Sequence, residues 1–208
     1  LLNPIFSKSG LITYHGPDLI FTFGLPMSST VRENLKKTLF SGEVNQLQQN
    51  PNWKGLAKLN KDEKYKGWRC IRGGKASGKL IGGNVNCLLS FENTNFRPDY
   101  DGSILFLEAY MATVEDLHQA FVHLRQAKVF EKINGLILGH FYGSHMEDKQ
   151  QDREISEIIL DVAKDYSFPI LEIGELGHNI ENYILPIGCM ATIDADKKYF
   201  SIDEPTVL

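Results

Sequence analysis

Short apolar runs alternate with segments of helical periodicity along most of the chain. Continuous apolar runs at 104–107 and 135–139 predict buried strands, and so does the mainly apolar run at 170–173, which Glu172 interrupts. Apolar residues at 114, 117, 121 and 124 follow a helical spacing, and the pattern at 155–162 repeats it. Two further runs, 191–194 and 199–202, predict a hairpin. Because strands alternate with helices, the pattern predicts an α/β fold.

The first third of the chain is less regular. Residues 11–14 predict a strand that ends at a turn over 15–17, and Thr30 with Glu33 predicts a capping box for a helix to about Phe40. The interval 46–65 is rich in amides and charges, which is typical of a linker or an insertion. We therefore divide the chain into 1–45, 46–65 and 66–208.

Composition narrows the class of protein. The net charge of −4 over 208 residues gives no electrostatic footprint for nucleic acid, and no apolar run is long enough to span a bilayer. The three cysteines, Cys70, Cys87 and Cys189, form no Cys-x-x-Cys pair, so neither a disulfide framework nor a zinc ribbon is expected. We interpret them as small, mostly buried residues in a reducing cytoplasm.

A glycine-rich segment at 72–79 has the glycine spacing of a phosphate-binding loop. Gly73, Gly78 and Lys79 fit that pattern, but Leu80 stands where a magnesium-binding hydroxyl is required. A tight turn that uses glycine's conformational freedom is the better interpretation.

Glu108 and His178 are the candidate acid and base. Glu108 directly follows an apolar run, at the predicted carboxyl end of a strand, where sites in α/β folds gather. His178 follows another predicted strand, at 170–173, and an imidazole near a carboxylate is the usual pair that activates a serine. A solvated carboxylate and a surface histidine are the plainer alternatives, and His15, His140 and His145 compete for the role of the base.

Other chemistry-bearing residues predict less. His118 and His123 fall on the polar or boundary face of the predicted helix, and the loose group of His140, His145 and Glu147 is more typical of a polar loop than of a metal site. The candidate nucleophiles Ser77 and Ser144 lack the strand–turn–helix setting that exposes a reactive serine.

Five motifs occur in an order that resembles a known family. They are GKLIGGN at 78–84, ILFLE at 104–108, GLILG at 135–139, GH at 177–178 and LPIG at 185–188. In that order they resemble the L,D-carboxypeptidase family of serine peptidases, which includes muramoyltetrapeptide carboxypeptidases and microcin C immunity peptidases. The resemblance extends over nearly the whole chain.

The resemblance implies a Ser–Glu–His triad in which Glu108 is the acid and His178 is the general base. Gly83 and Asn84 would line the substrate cleft. Trp53 would either help to hold an aminoacyl-nucleotide or anchor a surface loop. The family's serine lies on an elbow that would fall a few residues before Leu1, so we expect the nucleophile to lie outside this chain.

The implied architecture is the C-terminal β/α domain of a two-domain serine peptidase, at 66–208, together with the trailing part of its α/β N-terminal domain, at 1–45. The implied activity is hydrolysis of the L,D-amide bond of murein tetrapeptides in peptidoglycan recycling. The alternatives are cleavage of an aminoacyl-nucleotide amide, as in microcin C immunity, or a non-catalytic fragment that binds a ligand or a partner.

The resemblance also implies the setting of the protein. The expected partner is a peptide or peptidyl-nucleotide, with no metal, no organic cofactor, no nucleic acid and no membrane, and the expected location is the cytoplasm. Family members are commonly dimers, which makes a homodimer a candidate assembly. The sequence departs from the family pattern at Ala109 and at 179–182, which leaves the substrate preference open.

Overall fold

The computed structural model describes residues 1–20, 24, 26–57, 63–144 and 153–207. The helices within these ranges are α1 (Leu2–Ser9), α2 (Ser29–Phe40), α3 (Val85–Leu89), α4 (Val114–Gln126) and α5 (Ile155–Val162). The strands are β1 (Thr13–His15), β2 (Asn45–Gln46), β3 (Arg69–Arg72), β4 (Lys75–Asn84), β5 (Ile104–Tyr110), β6 (Gly135–Tyr142), β7 (Ile170–Gly177), β8 (Leu185–Ile187), β9 (Met190–Asp194) and β10 (Tyr199–Ile202).

A mixed sheet of eight strands forms the centre of the fold, in the order β2-β10-β9-β4-β5-β6-β7-β3. Strands β4 to β7 run parallel, and α3, α4 and α5 each lie in the chain between two of them. Residues 104–109 of β5 are all buried, as expected for a strand covered on both faces. The predicted α/β class is confirmed, and so is the hairpin of β9 and β10.

The parallel arrangement decides where polar side chains meet. Because the carboxyl ends of parallel strands lie at one edge of a sheet, the residues that end β4 to β7 come together there. Asn84 of β4 pairs with Glu108 of β5, and His140 of β6 pairs with Gly177 of β7. This edge carries the candidate site.

The first residues of the chain pack beside that edge. Strand β1 pairs with β8 in a separate two-stranded sheet, with His15 opposite Leu185, and α1 packs against both strands. The side-chain amide of Asn3 joins α1 to β4, since it donates to Gly82 O at 2.8 Å and accepts from Gly82 N–H at 2.9 Å.

Helices α4 and α2 both form where the sequence predicts them, but the N-terminal cap of α2 differs from the prediction. Helix α4 has the predicted apolar stripe, and its capping box is formed by Thr113 and Asp116. The capping box predicted for α2 is wrong, because Ser28 is the N-cap and accepts a hydrogen bond from Val31 N–H. Thr30 therefore lies inside the first turn of the helix.

The glycine-rich segment forms a turn between β3 and β4, as predicted. Gly74 adopts a φ of +122°, and its N–H donates to Asp196 Oδ2 at 2.8 Å. Strand β4 begins at Lys75, so Gly78 and Lys79 lie within a strand rather than in a loop that opens a helix. That placement is not the setting of a phosphate-binding loop.

The interval predicted to be a linker or an insertion contacts the sheet at several points. Strand β2 pairs with β10, and the side chains of Leu47, Asn50 and Trp53 are buried. Residues 58–62 of this interval lie outside the described residues. The division of the chain into three segments itself stays a prediction. Among the helices in the described ranges, none has the length and apolar character needed to cross a bilayer.

Candidate active site

Glu108 and His178 form a hydrogen-bonded pair at the carboxyl edge of the sheet. His178 Nδ1 lies 2.5 Å from Glu108 Oε2. The carboxylate is fully buried, whereas the imidazole is 44% exposed. Since Glu108 engages Nδ1, Nε2 is the ring nitrogen that can accept a proton from a substrate or a nucleophile.

The local backbone explains this geometry. The pairing of β5 with β6 shifts register between Leu107 and Ala109, so the irregularity falls at Glu108. Gly177, directly before the histidine, has a φ of +150°, and a side chain there would place its Cβ 2.7 Å from His140 O. The sharp end of β7 therefore depends on a glycine and directs His178 toward β5.

The electrostatics of the pair favour a basic imidazole. The hydrogen bond to Glu108 raises the pKa of His178 above its ordinary value of 6.5, and the charges of Glu108 and Asp18 act in the same direction. Partial burial opposes the shift. The buried carboxylate thus stabilises the imidazolium that forms when the ring takes a proton.

One cavity of about 250 Å³ brings together four of the five predicted site residues. Gly83, Asn84, Glu108 and His178 all line it, and Leu1, Leu2 and His15 are among its other walls. Asn84 is also the N-cap of α3, where its Oδ1 accepts from Cys87 N–H at 3.3 Å. Its amide NH₂ group is therefore the part that can donate to a ligand.

His15 is a cavity residue that the sequence placed only among the competing bases. Burial lowers the pKa of His15, while the charge of Glu108 opposes that shift. Its Nδ1 is buried and has no hydrogen-bond partner among the described residues, and the same is true of the second oxygen of Glu108. The neutral ring of His15 therefore adds a polar wall to the cavity next to the carboxylate.

Tyr110 is a neighbour of the base that the sequence analysis missed. Its half-exposed ring lies 5.3 Å from the ring of His178 and stacks on Tyr142 at 5.4 Å. Residues two apart on a strand share a face, so the spacing of Tyr110 from Glu108 could have identified Tyr110 as a candidate neighbour of the site.

Trp53 lies in a different place from the other four residues. Its indole is buried, donates to Gly174 O at 2.8 Å and stacks on Tyr65 at 5.7 Å. It lines a second cavity of about 130 Å³, together with Tyr65 and His140. These contacts hold the indole in place, and the role of Trp53 in binding a nucleotide stays a prediction.

The competing candidates are used elsewhere in the structure. His140 Nε2 lies 3.0 Å from Glu63 Oε2, and Ser77 bonds to Thr192 on the β4–β9 pair. Ser144 donates to Phe141 O at 2.9 Å.

The surface histidines lie where the sequence analysis predicts them, as far as the described residues reach. His118 and His123 are exposed on α4, as predicted. His145 and Glu147 lie outside the described residues. Within the described ranges no group of three or more His, Cys, Asp or Glu side chains could hold a metal ion.

The cysteines differ from the prediction. Cys189 is buried, but Cys70 and Cys87 are exposed, and all three are free thiols. The expectation of mostly buried cysteines was therefore wrong. Cys70 lies on β3 at the rim of the sheet, and Cys87 lies on the short helix α3 beside the cavity, so neither is covered by a further layer.

Comparison with known proteins links the chain to a peptidase family. A model of the LD-carboxypeptidase C-terminal domain matches residues 77–193. A putative carboxypeptidase of Vibrio cholerae is 28% identical, over 98% of this chain and 64% of the relative. The microcin C7 self-immunity protein MccF of Escherichia coli is 29% identical, over 98% of this chain and 62% of the relative.

Solved structures give the same result. MccF in complex with aspartyl sulfamoyl adenosine matches with a TM-score of 0.86 and 27% identity, over 100% of this chain and 65% of MccF. A muramoyltetrapeptide carboxypeptidase from Oxalobacter formigenes shares the fold, with a TM-score of 0.77, 19% identity and coverage of 99% of this chain and 65% of that enzyme. The chain thus spans slightly less than two thirds of the length of these proteins.

Proposed function

The chain belongs to the LD-carboxypeptidase family, and from that premise we propose that Glu108 and His178 are the acid and base of a serine peptidase triad. The single observation that supports this most is their hydrogen bond inside a cavity that Gly83 and Asn84 also line. A buried carboxylate that holds a half-exposed imidazole is the arrangement that general-base activation of a hydroxyl requires.

The triad needs a nucleophile that the described cavity lining does not supply. No serine is among the described residues that line the cavity, although Leu1 and Leu2 do line it. We propose that the serine comes from the part of the protein that precedes Leu1. The position of α1 beside β4 supports this, because its first residues lie at the cavity.

The proposed reaction proceeds in two steps. His178 Nε2 takes the proton of the serine hydroxyl as the oxygen attacks the amide carbon, and the imidazolium then protonates the leaving amine. Water attacks the resulting ester with His178 again as the base, which releases the acid and restores the serine. Throughout, Glu108 holds the tautomer of the ring and balances its charge.

We propose the L,D-amide bond of a murein tetrapeptide as the substrate. Similarity to the probable murein peptide carboxypeptidase of Bacillus subtilis, 25% identical over 95% of this chain, supports this choice. Asn84 would donate to a peptide carbonyl and Gly83 would let the peptide approach the strand. The proposal includes a cytoplasmic setting and a homodimer, as the family resemblance implies.

Cleavage of an aminoacyl-nucleotide amide is the second candidate. The match to MccF crystallised with aspartyl sulfamoyl adenosine favours it. The aromatic pair of Trp53 and Tyr65 also supports it, because a nucleobase stacks on aromatic rings. If the enzyme acts on this substrate, a shift of the Trp53 indole away from Gly174 would open the second cavity to the nucleobase.

A direct assay separates the two substrates. The full-length protein, extended to include its serine, is incubated with a murein tetrapeptide and, separately, with an aminoacyl-nucleotide amide, and the released amine is measured by chromatography. Release of the terminal D-amino acid supports the first substrate, and release of the nucleotide supports the second. Hydrolysis of neither would count against both substrate assignments.

A further inference from the structure

One fully buried residue, Asn50, connects the two sides of the loop that carries His178 through its backbone and its side chain. The backbone N–H of Asn50 donates to Glu175 Oε1 at 2.7 Å, and its side-chain Nδ2 donates to Glu181 Oε2 at 2.9 Å. Glu175 lies three residues before His178, and Glu181 lies three residues after it. Asn50 thus bonds to the chain on both sides of the proposed base.

Neighbouring residues extend this contact along the loop. The N–H of Leu56 donates to Asn179 O at 2.8 Å, and Gly55 forms an isolated bridge with Ile180. The segment 50–56 therefore runs beside the residues that follow His178. Its backbone contacts therefore fix the backbone of Asn179 and Ile180.

The two carboxylates depend on Asn50 to different degrees. Glu175 also accepts hydrogen bonds from Tyr65 O–H and from Trp68 Nε1–H, and its bond from Asn50 comes from the backbone. Glu181 is only 3% exposed and receives its bond from the Asn50 side chain. A substitution at position 50 therefore acts on the Glu181 side of the loop.

We propose that Asn50 is a positioning residue, which fixes residues 178–182 so that the imidazole of His178 stays on Glu108. The proposal rests on the proposed role of His178 as the base and adds the group that holds the base in place. Asn50 touches neither the cavity nor the reacting atoms, so its effect passes through the loop.

Asn50→Asp is the sharpest test, because it keeps the shape and loses the donor. The aspartate can still accept from Asn52 N–H, as Asn50 Oδ1 does at 3.1 Å, but it opposes the carboxylate of Glu181. We expect the loop to loosen and His178 to leave Glu108 for part of the time. Amide exchange at Gly177 should then be faster by about tenfold.

The direction in which Asn50→Asp changes the pKa of His178, measured by NMR in the 208-residue chain, decides whether the contact with Glu108 is lost. Among the described residues, the charged or titratable groups around its ring include Glu108, Asp18, His15 and Tyr110. An added negative charge at position 50 would by itself raise the pKa of His178, whereas loss of the contact with Glu108 lowers it. We expect the pKa to fall toward 6.5.

A second substitution and a matched control complete the test. Asn50→Asp combined with Glu181→Gln returns a donor to the pair at the net charge of the original chain, so the pKa and the exchange rate should recover. Asn134→Asp makes the same change where Nδ2 donates to Ser77 O and Gly102 O, at the other end of β4. It should leave the pKa of His178 unchanged.

The outcomes separate this inference from the proposed function. A pKa of His178 that is unchanged or raised in Asn50→Asp, or that falls equally in Asn134→Asp, overturns the role of Asn50. If Glu108→Gln leaves the pKa of His178 unchanged, the pairing itself is wrong and the proposed function loses its support. A fall in Glu108→Gln without one in Asn50→Asp removes only the present inference.

Discussion

Replacing Glu108 by glutamine removes the charge of the buried carboxylate and leaves its shape nearly unchanged. The amide oxygen can still accept the Nδ1–H of His178, so the bond becomes a neutral one. A hydrogen bond to a charged group contributes about 1.5–3 kcal/mol and a neutral one about 0.5–1.5 kcal/mol. The difference is about 1–1.5 kcal/mol, which the partial exposure of His178 reduces to about 0.5–1 kcal/mol.

The effect on the free energy of unfolding depends on pH. The pKa of His178 is raised in the folded chain, so its stabilising effect is complete below 6.5 and is lost as the pH rises through the folded pKa. The pKa of His15 is lowered by burial, which costs stability as the pH falls below 6.5, and the charge of Glu108 offsets part of that cost. Both effects make Glu108→Gln more harmful at low pH.

Urea unfolding at pH 5.5 and pH 8.5 measures this difference. We expect the loss of unfolding free energy caused by Glu108→Gln to be larger at pH 5.5 than at pH 8.5 by about 0.5–1 kcal/mol, or about 0.25–0.5 M in the urea midpoint. Glu157→Gln, at an exposed position of α5, is the control for loss of one charge and should show the same small effect at both values. An equal loss for Glu108→Gln at the two pH values would refute the reasoning.

Two further substitutions and one labelling experiment test other parts of the structure. Gly177→Ala should lower the free energy of unfolding, measured in urea, by about 1–3 kcal/mol, because the added methyl would lie 2.7 Å from a backbone oxygen at a φ of +150°. The control Gly10→Ala has open space at a φ of +72° and should lower it by no more than about 1 kcal/mol. Equal losses for the two variants would contradict the placement of β7. A thiol reagent should modify exposed Cys87 in the folded chain and buried Cys189 only after unfolding, as measured by mass spectrometry of the labelled peptides. Labelling of Cys189 before Cys87 would contradict the structure.

The central strands and the pair at their ends could be predicted from the sequence for one physical reason. Parallel strands that are buried on both faces have nearly continuous apolar sequences, and a polar residue that follows such a run marks the edge of the sheet. Glu108 and His178 both carry that signal. Their hydrogen bond joins the ends of β5 and β7 across the intervening strand β6, and periodicity alone does not specify that order of strands.

The contacts around the base could not be predicted in the same way. Asn50 lies in an amide-rich interval that is typical of a linker, yet its side chain is fully buried. Its partners Glu175 and Glu181 are more than 120 residues away in the chain. A buried polar network of this kind depends on tertiary contacts, and no local pattern in the sequence announces it.

The helix cap of α2 shows the same limit on a smaller scale. Thr30 and Glu33 have the spacing of a capping box, but Ser28 lies two residues earlier in an extended conformation and its hydroxyl reaches Val31 N–H. Several hydroxyl residues in a row offer alternative caps, and packing of the helix decides among them.

The most direct test of the proposed role of His178 is the rate of amide hydrolysis by the full-length protein with and without that imidazole. A general base contributes about a hundredfold to ten-thousandfold to such a rate. We expect His178→Ala to lose activity by that factor while its unfolding transition shows that the fold is retained. Hydrolysis within a few-fold of the original rate would contradict the assignment of His178 as the base.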